Sequence, residues 1–350
     1  MDLNQHTHRL LLALLAAAPL CGCRTATPIH AFHVPAAGET APVANAGDAA
    51  DDPAVWVHPT DPDQSRIIGT NKKGGLGVYD LAGRELQFLP LGRVNNVDLR
   101  QRVATEDNSL IDIAAASHRE RRGITLCAIS TSGELRELEG SPSAVSVEEP
   151  YGLCCWTDRR TGAFYVFVND KNGRVEQWRV RLSSTKVLSH SLERSWKLSS
   201  QVEGMVADDA LGMLFVGEEA VGVWAIDLTD PASSPTPVTS ANPSGPLVAD
   251  VEGLALAHSR HGPLLLVSSQ GSNSFAVYNA RPPFKARGSF QIGTGTPLSV
   301  EETDGIEVCQ SLKTRRFPNG ILVAQDGLND PHGQNFKIVD WTAIEAGLTR

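Results

Sequence analysis

Eight carboxylates and three cations stand at matching places along this 350-residue chain. Asp51, Asp52, Glu203, Asp250, Glu252 and Asp304 sit at the head of short apolar runs, and Glu219 and Asp326 close the runs that follow. Carboxylates crowded on one axis raise each other's pKa values, so they either take up protons or hold hard cations. Calcium accepts six to eight oxygen ligands in flexible geometry. Thiolate or imidazole company, which would select zinc or copper, is missing from the pattern. Lys72 (with Lys73), Arg119 and Lys171 end the matching runs in the first half of the chain, where the second half carries Glu219, Gln270 and Asp326. An acidic side with divalent metal, faced by a basic side, suits a substrate with many negative charges. Phosphate esters fit best, because Lys and Arg make charge-assisted hydrogen bonds to phosphate oxygens and metal readies water for attack. Taken one at a time, such acids also cap turns and such lysines are also solvated loop residues; recurrence in register is what favours a site.

That recurrence implies the elements that position the groups. Val202-Glu203-Gly204-Met205, Val251-Glu252-Gly253-Leu254 and Thr303-Asp304-Gly305-Ile306 repeat at a spacing of roughly fifty residues, as propeller blades do. Weaker copies at Asp51-Asp52-Pro53, Asn96-Val97-Asp98 and Tyr151-Gly152-Leu153 give six registers, at 52, 98, 151, 203, 252 and 304. Each is followed by two more apolar runs, such as Phe215-Val216 and Val221-Gly222-Val223-Trp224, and by a variable fourth. Long helical periodicity is absent between residues 50 and 340. The expected fold is all-β, a six-bladed β-propeller with a central channel.

The formal charge of −9 disfavours nucleic acid and anionic membranes as partners. Arg9 and the apolar run from Leu10 to Leu20 form a signal peptide pattern, too short to cross a bilayer. Leu20-Cys21-Gly22-Cys23 resembles a bacterial lipobox with Cys23 as the lipidated residue; cleavage and release is the equal alternative. The division expected is 1–23 signal peptide, 24–46 tether, and 47–350 propeller, in a protein exported to the periplasm, the outer membrane or the medium. Cys127, Cys154, Cys155 and Cys309 lack metal spacing, and the adjacent pair points to opposite sheet faces, so buried free thiols are expected. His58, His118, His258, His261 and His332 share no spacing and read as loop or surface residues. No GxSxG, HExxH or phosphate loop supports a covalent mechanism.

Several of these segments resemble the β-propeller phytases, the calcium-dependent alkaline phytase family. The segments include Asp51-Asp52-Pro53-Ala54-Val55-Trp56, Asn95-Asn96-Val97-Asp98-Leu99-Arg100, Glu203-Gly204-Met205, Asp250-Val251-Glu252-Gly253, Glu302-Thr303-Asp304-Gly305 and Gln334-Asn335-Phe336-Lys337. The resemblance covers residues 39 to 342. It implies hydrolysis of calcium phytate to lower inositol phosphates and inorganic phosphate, by a water bridging two calcium ions. It implies calcium ligation by Glu39, Asp51, Asp52, Glu203, Glu219, Asp250, Glu252 and Asp304, and substrate phosphate binding by Lys72, Arg119, Tyr151 and Lys171. Asp326 and Asn329 would serve a stabilising ion, although Leu298 stands where another ligand of that ion is expected. Glu120, Arg121 and Arg122 crowd the turn at Arg119, a second departure. The rival functions are a calcium-dependent lactonase or phosphotriesterase and a non-enzymatic binding scaffold. The first has no use for cations at three blade ends, and the paired acidic and basic halves count against both. A monomer is expected.

Overall fold

The alternating apolar runs form antiparallel strands, and each repeat becomes one sheet. The computed structural model describes residues 31–293 and 298–349. The signal segment 1–23 with Cys23, and residues 296 and 297, lie outside the described residues. Blade 1 is built from Ala50–Trp56, Arg66–Asn71, Gly75–Tyr79 and Glu85–Pro90, and blade 2 opens with Val94–Ala104 and Leu110–His118. Blades 3, 4, 5 and 6 begin at Leu153–Thr157, Val202–Asp208, Val251–Ser259 and Ile306–Cys309. These innermost strands touch one another in order, and the last touches the first. They surround an axial cavity of about 180 Å³ lined by Asp52, Val97, Leu153, Met205, Leu254 and Ile306, one or more residues from every blade. A six-bladed propeller with a central channel is therefore the fold.

Its core is divided among the interfaces between blades. In Ile321–Asp326, Ile321 and Val323 pack toward blade 1 while Leu322 and Ala324 pack toward blade 5. A strand buried on both faces needs apolar residues at consecutive positions, one set for each neighbour. Cys154 and Cys155 obey the same alternation, facing blades 4 and 2 respectively. Both are buried free thiols, as are Cys127 and Cys309.

The described part of the 24–46 segment is not a free tether. Gly38–Glu39 supplies the outermost strand of blade 6, antiparallel to Asn335–Asp340, and so closes the ring with the start of the chain. Phe32–Val34 adds a parallel strand to the outer edge of blade 5. The closing helix Trp341–Leu348, capped by the Asp340 carboxylate, packs against it. Alanine and proline content suggested a spacer, but pairing to an otherwise open sheet edge satisfies backbone groups that composition does not reveal.

Candidate active site

A β-bulge opens the innermost strand of blades 1, 2, 4 and 5. Pairing runs up to Ala50, Val94, Val202 and Val251, skips two residues, and resumes at Pro53, Val97, Met205 and Leu254. A bulge releases residues from the ladder and re-aims their side chains. The first residue released is Asp51, Asn95, Glu203 or Glu252, and Tyr151 and Asp304 hold the same place in blades 3 and 6. Glycine follows in blades 3 to 6 because the next blade's backbone passes there. A Cβ on Gly204 would lie 2.1 Å from the Glu252 carbonyl oxygen, and one on Gly152 would lie 1.9 Å from that of Glu203. The acid-glycine phrase thus couples a channel-facing acid to a contact that only glycine permits.

The pairing corrects three registers. Blade 1 aligns on Asp51 rather than 52, and blade 2 on Asn95 rather than 98. Asp52 turns the other way, its Oδ2 accepting from Asn96 Nδ2 at 3.1 Å and Val97 N at 3.2 Å. The second ring of matching positions is Lys72, Arg119, Lys171, Glu219, Gln270 and Gly327, so Asp326 falls one place short of it.

Glu203, Glu219 and Glu252 bring carboxylate oxygens within 4.8 Å of one another. Asn95 joins this group to Asp51, donating to Asp51 Oδ2 at 3.2 Å and Glu203 Oε1 at 2.8 Å. Asp51 is 1 % exposed and Glu252 6 %, and Asp51 Oδ1 and Glu252 Oε2 have no hydrogen-bond partner. Burial pushes the Asp51 and Glu252 carboxyls well above the usual range, with Glu203 adding to both. Burial and then Asp304 push Glu203 up to about 7. Burial also raises Glu219 and Asp304. Orphaned buried oxygens in an all-carboxylate cluster fit a hard divalent cation, and calcium above all. Asp250 stands exposed at the rim, its carbonyl accepting from Gln270 N.

The cations are less segregated from the acids than their order in sequence implied. Blade 1 follows blade 6 around the ring, so Lys72 Nζ meets Asp304 Oδ2 at 3.0 Å as well as Asp51 Oδ2 at 3.2 Å and Asp48 Oδ1 at 2.5 Å. Burial lowers the Lys72 pKa, but Asp51 and Asp304 outweigh it and hold the ammonium charged. Arg119 and Lys171 both lie over the Tyr151 ring, at 5.8 and 4.3 Å from its centre. Burial, followed by the charge of Glu203, keeps the Tyr151 hydroxyl a neutral phenol. Arg119 is further held by Glu149, at 2.6 Å. His118 is fully buried on the Leu91 carbonyl, not in a loop.

Glu39, Asp326 and Asn329 are drawn together elsewhere. The ammonium of Lys337, fully buried, lies 2.6 Å from Glu39 Oε2, 3.0 Å from Asp326 Oδ2 and 2.8 Å from Asn329 Oδ1. Sequence reasoning missed Asn95, Asp48 and Lys337. The Asn95-Asn96 pair was visible, but a register counted from Asp98 hid its place in the ring.

A model of the phytase family matches residues 3–349. A 3-phytase of Bacillus subtilis (strain 168) is 38% identical over 356 residues, covering 96% of this chain and 93% of that protein. The chain belongs to the phytase family. Membership makes it a hydrolytic enzyme and fits the carboxylate ring with cations at its edge. An auxiliary nutrient binding protein from Bacteroides thetaiotaomicron superposes with a TM-score of 0.54 at 9% identity, over 84% of this chain and 69% of that one. That likeness concerns the fold alone.

Proposed function

We propose that this phytase-family enzyme hydrolyses the phosphate monoesters of myo-inositol hexakisphosphate, taken as its calcium complex. The products are inorganic phosphate and lower inositol phosphates. The observation that carries the reading is the cluster of Glu203, Glu219 and Glu252, with orphaned oxygens on Asp51 and Glu252, beside Arg119, Lys171 and Tyr151.

Asp51, Glu203, Glu219, Glu252 and Asp304 would hold calcium, with Asp250 at the rim. Calcium supplies positive charge against the phosphoryl oxygens and makes bound water a better nucleophile. The chain's own residues do the rest. Arg119 presents a planar fork to phosphate oxygens, braced by Glu149 and the Tyr151 ring. Lys171, exposed at the mouth, is placed to meet a neighbouring phosphate of the same polyanion. Lys72 contributes its charge next to Asp51 and Asp304, where substrate and cation must meet. Tyr151 stays protonated and can donate a hydrogen bond. No side chain is placed as a covalent nucleophile in this reading, so solvent attacks phosphorus directly.

The protein is exported in this reading, either released or anchored through Cys23, and acts as a monomer. Phosphate release is to be measured on calcium phytate, glucose phosphate and a simple lactone, with and without EDTA. The reading expects release from phytate that EDTA abolishes and calcium restores. Turnover of the lactone alone would favour the lactonase, and no turnover of any substrate would favour a binding scaffold.

A further inference from the structure

Five of the six matching positions at the head of the innermost strands carry a group already placed in the site; the blade 2 position carries Asn95. It is the only amide of that ring, and it is fully buried. Its two Nδ2 hydrogens are shared among three acceptors, Glu203 Oε1 from blade 4 at 2.8 Å, Asn96 Oδ1 at 3.0 Å and Asp51 Oδ2 from blade 1 at 3.2 Å. Its Oδ1 accepts from Arg119 at 3.4 Å. One side chain thus reaches across the channel to two acids and touches the guanidinium placed for phosphate.

Only an amide meets these demands. It is neutral, it donates through one end and it accepts through the other. An aspartate of the same size would set a third carboxylate against Asp51 and Glu203 and lose both donations. An apolar side chain would take a donor from buried Glu203 Oε1 and leave Asp51 Oδ2 with Lys72 alone, at a cost in desolvation. Groups that orient metal-binding carboxylates are worth about 10- to 100-fold in affinity or activity.

We propose that Asn95 is a positioning residue that fixes Asp51 and Glu203 against each other and ties them to Arg119. Cation binding and phosphate binding are then linked through a single amide. The assignment rests on the active site proposed above, and it names a residue for which neither the acids' repeat nor the cations' repeat gave a signal.

The test uses Asn95→Ala and Asn95→Asp in the full chain, read by terbium luminescence titration and by phytate kinetics. Both variants should lose about 10- to 100-fold in kcat and Asn95→Ala should bind terbium about tenfold or more weakly, with each chelated protein still folded but unfolding at a lower temperature than the parent. Asp keeps the size of Asn, so a merely space-filling residue would be rescued by Asp; a positioning amide is not. Arg119→Gln should also raise KM several-fold in the parent and much less in Asn95→Ala, because the linkage is already broken. Wild-type terbium affinity and kcat in a folded Asn95→Ala, or full rescue by Asp, would overturn the proposal. Should Asn95→Ala not fold, the kcat of Asn95→Asp carries the comparison. If the parent releases no phosphate from phytate, the substrate reading fails while the terbium titration still decides the role of Asn95.

Discussion

Two carboxylate clusters in this molecule resolve the same electrostatic problem in opposite ways. At the closing edge of blade 6, Glu39 and Asp326 share the ammonium of Lys337, with Asn329 and Asn335 completing its hydrogen bonds. At the mouth of the channel, Glu203, Glu219 and Glu252 converge without a lysine paired to any of them among the described residues, and the Lys72 ammonium is shared by Asp48, Asp51 and Asp304. The first cluster carries its counter-charge in the chain and locks the strand that closes the ring. The second has more negative charge than the chain neutralises, which suits it to an external cation. A run of acids does not by itself mark a metal site; the balance of charge around it does.

Removing the internal cation should break the contrast most visibly. Lys337→Met leaves Asp326 buried without its partner and should lower the unfolding free energy by about 3–5 kcal/mol, read by chemical denaturation. The sensitivity of phytate turnover to chelator should stay as in the parent.

A smaller effect separates the channel cluster by pH. Glu203 titrates near 4.5 unfolded but about 7 folded, so the folded chain keeps a proton that the unfolded chain has released. With EDTA present, stability should therefore fall as pH rises from about 4.5 to about 7, by roughly 3 kcal/mol from this group, and the raised Asp51 and Glu252 act in the same direction. Saturating calcium should flatten that slope. A chelated protein that grows more stable over the same range would show that Glu203 is paired in some other way.

The mildest change concerns recognition. Lys72→Ala removes one charge-assisted contact and should raise KM for phytate about tenfold with a lesser change in kcat. Unaltered phytate kinetics would remove Lys72 from the phosphate site.

The fold was legible because a propeller writes its period into the chain. Glu203-Gly204, Glu252-Gly253 and Asp304-Gly305 each record a channel-facing acid and a close backbone contact with the next blade. Legibility failed where counting by twos failed. The bulges displace Asp51 and Asn95 from the registers that Asp52 and Asp98 suggested, and Asp326 sits one residue short of the ring that holds Glu219. Lys337 was hidden for another reason. A lysine inside Asn335–Asp340 looks solvent-facing until Gly38–Glu39 is known to pair beside it, across almost 300 residues. Contacts of that reach leave no local trace.

The central claim is that the channel cluster, and not the Lys337 cluster, holds the cation. A crystal equilibrated with calcium and measured for anomalous scattering tests it directly. The account predicts calcium peaks among Asp51, Glu203, Glu219 and Glu252, and none where the Lys337 ammonium lies. Peaks confined to Glu39, Asp326 and Asn329, with the channel acids bare, would contradict it.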